Sequence, residues 1–130
     1  MGVLSKIFTL RGRMNRARYA AWLSCSFGVM LAPSIVYPFE MGPEIGLLEA
    51  AMIDPALIPT MAAVVIGLAM QVIAGWRRAH DMNTTGWIAL GSLLLFLAVP
   101  LYVVLLAVRG TTGANRYGEA PAPATEPAAA

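Results

Sequence analysis

His80 and Asp81 are adjacent, they follow the basic pair Arg77-Arg78, and His80 is the only histidine in the chain. A neighbouring imidazole and carboxylate could pass a proton to or from a substrate, and two guanidinium groups could hold an anion beside them. Each of these chemistries lacks a component. Covalent catalysis needs a nucleophile, and Ser92 and Cys25 both fall inside apolar runs. A metal site needs more ligands than one His and one Asp. No Gly-rich nucleotide loop, Cys-x-x-Cys pair or haem-attachment motif occurs. The sequence therefore identifies no catalytic residue, no metal site and no cofactor. The role expected of Arg77, Arg78, His80 and Asp81 is a structural knot that buttresses one end of a helix bundle. A membrane-surface enzyme acting on lipid headgroups through His80 and Asp81 is a competing reading.

Composition says which elements must carry these residues. Of 130 residues, 58% are hydrophobic and 12% charged, against ~25% charged in soluble globular domains, and the mean hydropathy is +0.69. A chain this small has much surface for its volume and would need more charge to face water. That excludes an ordinary cytosolic enzyme and a disordered polar chain. Residues 19–39, 55–76 and 87–108 contain no Asp, Glu, Lys or Arg. With a rise of ~1.5 Å per residue and a hydrocarbon core about 30 Å thick, each stretch is long enough to cross a bilayer. A charge at the centre of one would cost about 3 kcal/mol on insertion. A soluble bundle would need a polar face on each helix, and residues 87–108 offer only Gly91 and Ser92 before Tyr102.

The expected fold class is all-α, an integral membrane helical bundle of three spans. Residues 1–18 form a basic amphipathic segment, residues 19–118 the transmembrane domain, and residues 119–130 a disordered Ala/Pro-rich tail. Pro100 interrupts the third span. One kinked crossing is expected there, with a re-entrant hairpin turning at Pro100 as the alternative. Cys25, the single cysteine, has no internal disulfide partner.

Charge sets the expected orientation. Lys6, Arg11, Arg13, Arg16 and Arg18 precede the first span, Glu40, Glu44, Glu49 and Asp54 follow it, and Arg77 and Arg78 follow the second. By the positive-inside rule the N-terminus and the 77–86 loop face the cytoplasm and residues 40–54 face outward. Tyr19, Trp22, Tyr37, Trp76 and Trp87 mark the span edges, where aromatic rings sit at headgroup level. The first span is too long for a cleaved signal peptide and lacks an Ala-x-Ala-like site after it, and Lys6 stands where a myristoylation pattern requires Ser or Thr. It is read as an uncleaved anchor.

Helices in lipid associate by close backbone approach. The first span carries Ala20, Ser24, Gly28 and Ala32 at four-residue spacing and the second carries Ala63, Gly67, Gln71 and Gly75. These two stripes are expected to face each other, with Gln71, the one amide within the spans, hydrogen-bonded across the interface.

Three polar strings flank the spans. Gly12-Arg13-Met14-Asn15-Arg16-Ala17-Arg18-Tyr19 comes first, then Arg77-Arg78-Ala79-His80-Asp81-Met82-Asn83-Thr84-Thr85-Gly86-Trp87, then Gly110-Thr111-Thr112-Gly113-Ala114-Asn115-Arg116-Tyr117-Gly118. In this order the chain resembles the DUF805 family of small bacterial inner-membrane proteins. Their motifs are GR-x-x-R-x-x-Y-W, RR-x-H-D-x-G-x-S-G-W and G-x-x-G-x-N-R-Y-G. The resemblance covers roughly residues 8–121. The departures are Ala20 for Trp, Asn83 for Gly, Thr85 for Ser and Glu119 for a frequent Pro. None of them removes a charged motif residue. The resemblance implies an integral inner-membrane protein and leaves its activity open.

Spacing suggests a role for each string. Arg13 and Arg16 would share a helix face and reach lipid phosphates, and Arg77 and Asp81 would pair at i,i+4. Thr84 or Thr85 would cap the third helix. The Gly110–Gly118 string would form a tight ordered loop, with Arg109 or Arg116 able to reach Asp81 if the tail is cytoplasmic. Candidate lipid or partner contacts are thus Arg13, Arg16, Arg77 and Arg78, and the polar membrane-edge cluster is His80, Asp81, Asn115 and Arg116. The expected partners are the bilayer with its anionic lipids, and a second copy or a membrane protein. Nucleic acid is not expected, because the basic run abuts a span. The leading functional expectation is a non-enzymatic membrane protein, and a small transporter or channel subunit is the alternative from another class.

Overall fold

A computed structural model describes residues 9–36 and 57–121. The expectations for the acidic stretch 40–54, for Tyr37 and for tail residues 122–130 lie outside the described residues. The elements are α1 (Arg16–Val36), α2 (Leu57–Asp81), a 3-10 helix (Gly86–Leu93) and α3 (Leu95–Ala107). The fold is an all-α membrane helical bundle, with no named strand among the described residues.

Solvent choice is visible in what stays uncovered. In the most apolar windows of α1 and α2, 17% and 28% of residues are buried within the chain. Ile35, Val65, Phe96 and Val99 are among the most exposed side chains. Core helices of a water-soluble bundle would be mostly covered, and contiguous apolar surface of this extent belongs in lipid. Through its apolar stretch α2 buries one main stripe, Thr60, Ala63, Gly67, Gln71 and Ala74, which runs on to Arg78, the spacing of a single helix face. Its last turn, Arg78 to Asp81, is buried all round.

That stripe meets a different face of α1 from the one expected. The α1 residues buried are Tyr19, Leu23 and Ser26, while Ser24, Gly28 and Ala32 are exposed. Nothing lies within 4 Å of the place a Cβ on Gly28 would occupy. On α2, by contrast, a Cβ on Gly67 would overlap the side chain of Met30 and stand 3.0 Å from the Ser26 carbonyl. Here a small residue on one helix makes the hole that a large residue on the other fills, so two small stripes need not face each other. Gly75 faces the third segment instead, with Ala89 and Leu105 at 3.1 and 3.6 Å from its Cβ position. Gln71 is buried, accepts a hydrogen bond from the Tyr102 hydroxyl of α3, and touches α1 through its Nε2 and Met30 Sδ at 3.5 Å.

The third apolar segment enters and leaves at one end of α2. At its start Gly86 packs under the Trp76 indole, and near its finish the Leu105 carbonyl accepts from Arg78 Nε at 2.8 Å. Eight residues of 3-10 helix cover ~16 Å and thirteen of α-helix ~20 Å, each short of the ~30 Å core. The segment folds back on itself beside α2, the chain path of the hairpin alternative rather than of one continuous kinked helix. Its turn falls at Leu94 (φ −89°, ψ 110°), and Pro100 lies inside α3. Ser92 Oγ donates to the Ala89 carbonyl at 2.7 Å before the turn. Gly91 leaves room for the returning Leu101, whose Cδ2 is 3.5 Å from the Gly91 Cβ position. The core gathers at the polar end, with Met14, Tyr19, Leu23, Ala74 and Leu105 buried together.

Candidate functional site

Asp81 is the last residue of α2, where a negative charge opposes the helix dipole. It is buried all the same, 3% exposed, because two arginines meet it. Arg13 places Nε 3.1 Å and Nη2 3.0 Å from Oδ1, and Arg78 Nη1 donates to Oδ2. The Asp81 carbonyl accepts from the backbone N–H of Thr111 at 2.8 Å and from its hydroxyl at 3.0 Å. Gly110 packs against the carboxylate so closely that a Cβ there would overlap it.

The remaining arginine donors tie the other strings to this point. Arg78 donates Nε to Leu105 and Nη2 to Val108 (2.5 Å). It thus satisfies carbonyls that the end of α3 leaves without helical partners and sets a cation at its negative dipole end. Arg13 donates to the carbonyls of Thr111 (2.6 Å), Gly113 (2.6 Å) and Gly118 (3.2 Å). The turn at Gly12 (φ +90°), a conformation glycine adopts without a Cβ clash, sends Arg13 inward. The Met14 N–H donates to the Arg77 carbonyl at 3.1 Å, and Asn15 Oδ1 caps α1 by accepting from the Arg18 N–H at 2.9 Å.

His80, next to Asp81, packs against two aromatic rings. Its ring stacks on Tyr117 with centroids 3.7 Å apart and an 8° interplanar angle, and Trp76 lies edge-on at 6.2 Å. Nδ1 donates to the Gly12 carbonyl at 3.3 Å. His80 lies beyond Trp76, outside the apolar stretch, and burial lowers its pKa from the ordinary 6.5 against the opposing hydrogen bond to Gly12. Asn115 Nδ2 donates to the His80 carbonyl and to Thr111 Oγ1, both at 2.9 Å. Arg116 donates to the Asn83 carbonyl at 3.1 Å and lies 4.7 Å from the Tyr117 ring centroid. Beside His80 opens a cleft of about 500 Å³ walled by Trp76, Tyr117 and Arg11.

Several expected roles move. Arg13 does not share a face with Arg16, because it precedes the helix and is buried on Asp81. Asp81 pairs with Arg78 at i,i+3 and with Arg13, and Arg77 points elsewhere, one residue further round the helix. Neither Thr84 nor Thr85 caps the next helix. Thr85 makes no side-chain cap bond, and Thr84 Oγ1 donates back to the Ala79 carbonyl at 2.8 Å. Arg116 reaches Asn83 instead of Asp81, and Arg109 is exposed. Asn83, where the motif has Gly, takes φ 56°, a left-handed value that Asn tolerates better than most side chains.

The arginines where α1 begins and α2 ends thus divide into two groups. Arg13 and Arg78 are consumed inside the chain. Arg16 and Arg18 are exposed, Arg77 is half-buried, and Arg77 Nε is buried with no acceptor. Cys25 is exposed and free, and no metal-holding group of three His, Cys, Asp or Glu side chains occurs among the described residues. Asn15 as a helix cap and Tyr117 as the stacking partner of His80 were not singled out in the sequence. Only the Asn-x-x-Arg spacing of the first string carries a capping signal.

Residues 7–119 match the family described as Protein of unknown function (DUF805). The chain is 27% identical to Inner membrane protein YhaH of Escherichia coli (strain K12), over 96% of this chain and 95% of that one. It is 25% identical to Inner membrane protein YhaI of the same organism, over 93% and 92%. No solved structure matches the chain.

Proposed function

Because this chain belongs to the DUF805 family, we propose that it is a bacterial inner-membrane protein without catalytic activity. It acts through helix packing and through contacts of its basic rim with anionic lipid or a partner protein. The N-terminal string, the 77–86 loop and the 109–121 string lie on the cytoplasmic side. The observation that carries this reading is that the charged groups of the Asp81 joint are spent on one another and on backbone carbonyls. Both Asp81 oxygens and all three nitrogens of Arg13 and of Arg78 are bonded within the chain, and His80 is stacked and bonded to Gly12. A general acid or base needs a proton path to a substrate, whereas these groups join three distant strings. Gln71, the polar group a transport path would call on, is taken by Tyr102.

The test is to incubate the purified protein with vesicles of phosphatidylglycerol and phosphatidylethanolamine and to follow headgroup release. The expected result is none above protein-free vesicles. Release that disappears in His80→Ala, with the melting temperature retained, would overturn the non-enzymatic reading.

A further inference from the structure

Among the described residues five guanidinium groups gather where α1 begins and α2 ends, Arg13, Arg16, Arg18, Arg77 and Arg78, and the carboxylate within them is Asp81, already shared by Arg13 and Arg78. Arg18 and Arg77 are near enough to repel each other electrostatically, and Arg16 stands in the same relation to Arg78. No ion pair or side-chain hydrogen bond of Arg16, Arg18 or Arg77 is made within the described chain, and Arg77 Nε is shut off from solvent without an acceptor. A buried, charged donor left unbonded is costly, and like charges held together at the mouth of a helix call for an anion. The α1 N-terminus adds its own positive dipole end at this point.

We propose that Arg18 and Arg77, with Arg16 beside them, seat the phosphate of an anionic lipid headgroup. This rests on the membrane-rim reading above and names the site at which the contact is made. The depth fits a lipid. Arg77 directly follows Trp76, where the apolar stretch of α2 ends, so its guanidinium stands at the level of phosphates rather than of acyl chains. Below Arg18 on the same face of α1, Ala21 and Cys25 are exposed, leaving apolar surface along which the lipid's chains lie. Guanidinium groups bind phosphate oxygens through paired hydrogen bonds, which the terminal nitrogens of the half-buried Arg77 and the free fork of Arg18 supply.

The experiment is native mass spectrometry of the full chain released from detergent, with phosphatidylglycerol, phosphatidylcholine or inorganic phosphate added. The wild type should retain a phosphatidylglycerol adduct in preference to phosphatidylcholine. The doubly substituted Arg18→Gln, Arg77→Gln chain should retain it about tenfold less or worse. Its melting temperature without lipid should not fall, since neither side chain bonds within the fold and the two charges repel each other. An Arg11→Gln, Arg109→Gln chain, with the same charge removed elsewhere, should keep the adduct. Equal adducts on wild type and the Arg18/Arg77 variant, or equal loss in both doubly substituted chains, would overturn the seat. Inorganic phosphate that raises the wild-type melting temperature as much as phosphatidylglycerol would overturn the lipid as its source. A failure here leaves the headgroup-release result unaffected, so the two readings fall separately.

Discussion

Arg13 precedes Asp81 by 68 positions, and its guanidinium lies 3.1 Å from the Asp81 carboxylate with both side chains buried. Arg78 closes the other carboxylate oxygen, so one acid holds the start of α1, the end of α2 and the chain leaving α3 in a single joint. An ion pair inside a protein adds little over a well-packed apolar substitute, yet losing one member strands the other.

Asp81→Ala should therefore be among the most damaging single changes, costing about 3–5 kcal/mol by leaving two buried cations unpaired. Arg13→Ala should cost a similar amount. The pair should be strongly non-additive in a double-mutant cycle, read as melting temperature in detergent. Independent, additive losses would show that the joint is not one unit.

Gly67 and Gly28 separate a packed helix face from a free one. Gly67→Leu should destabilise the fold by about 1–3 kcal/mol, because Met30 occupies the space the new side chain needs. Gly28→Leu points where nothing lies within 4 Å and should change stability by less than about 0.5 kcal/mol. Thermal unfolding in one detergent compares the two directly, and equal losses would contradict the observed helix facing.

This contrast also explains which parts of the fold were legible. Uninterrupted apolar runs announce their solvent, so α1 and α2 begin and end within a few residues of the stretches read from charge alone. The inward face of α1 is a different matter. In lipid a helix is apolar all round, so polarity does not distinguish Leu23 and Ser26, which pack, from Ser24 and Gly28, which do not. Arg77 and Arg78 pose the same difficulty at the rim. Both lie within pairing distance of Asp81 along the helix by spacing rules, and the choice depends on how α2 is rotated against its neighbours. Arg13 carries no local signal of its partner, because the contact exists only once the bundle has assembled. The strings at 12–19, 77–87 and 110–118 could be picked out as distinct from the spans. That the second and third could meet followed from grouping Asn115 and Arg116 with His80 and Asp81; that the first joins them through Arg13 did not.

His80 predicts an acid-sensitive joint. Burial holds its pKa below the ordinary 6.5, so the folded chain keeps the imidazole neutral where the unfolded chain already takes up a proton. The stability that this neutral ring contributes is complete above pH of about 6.5 and falls as the solution is acidified through the interval down to the folded value. The melting temperature should drop as the pH falls below about 6.5, and His80→Gln should flatten that slope. A slope unchanged by the substitution would assign the acid sensitivity to other groups.

The folding back of the third segment makes a sidedness prediction that a straight crossing reverses. Gly86 packs under Trp76 and Thr111 donates to the Asp81 carbonyl, so residues on both sides of the segment lie at one end of α2. In a Cys25→Ser background, Leu10→Cys and Thr112→Cys should react with a membrane-impermeant maleimide from the same side, in inverted vesicles and not in intact cells. A crossing chain would place these two positions on opposite sides. The returning route also keeps Arg109 and Arg116 with the N-terminal arginines, which is where the positive-inside rule holds them. Labelling of Thr112→Cys from outside, with Leu10→Cys protected, would break the joint at Asp81 and with it the geometry from which the lipid seat is argued.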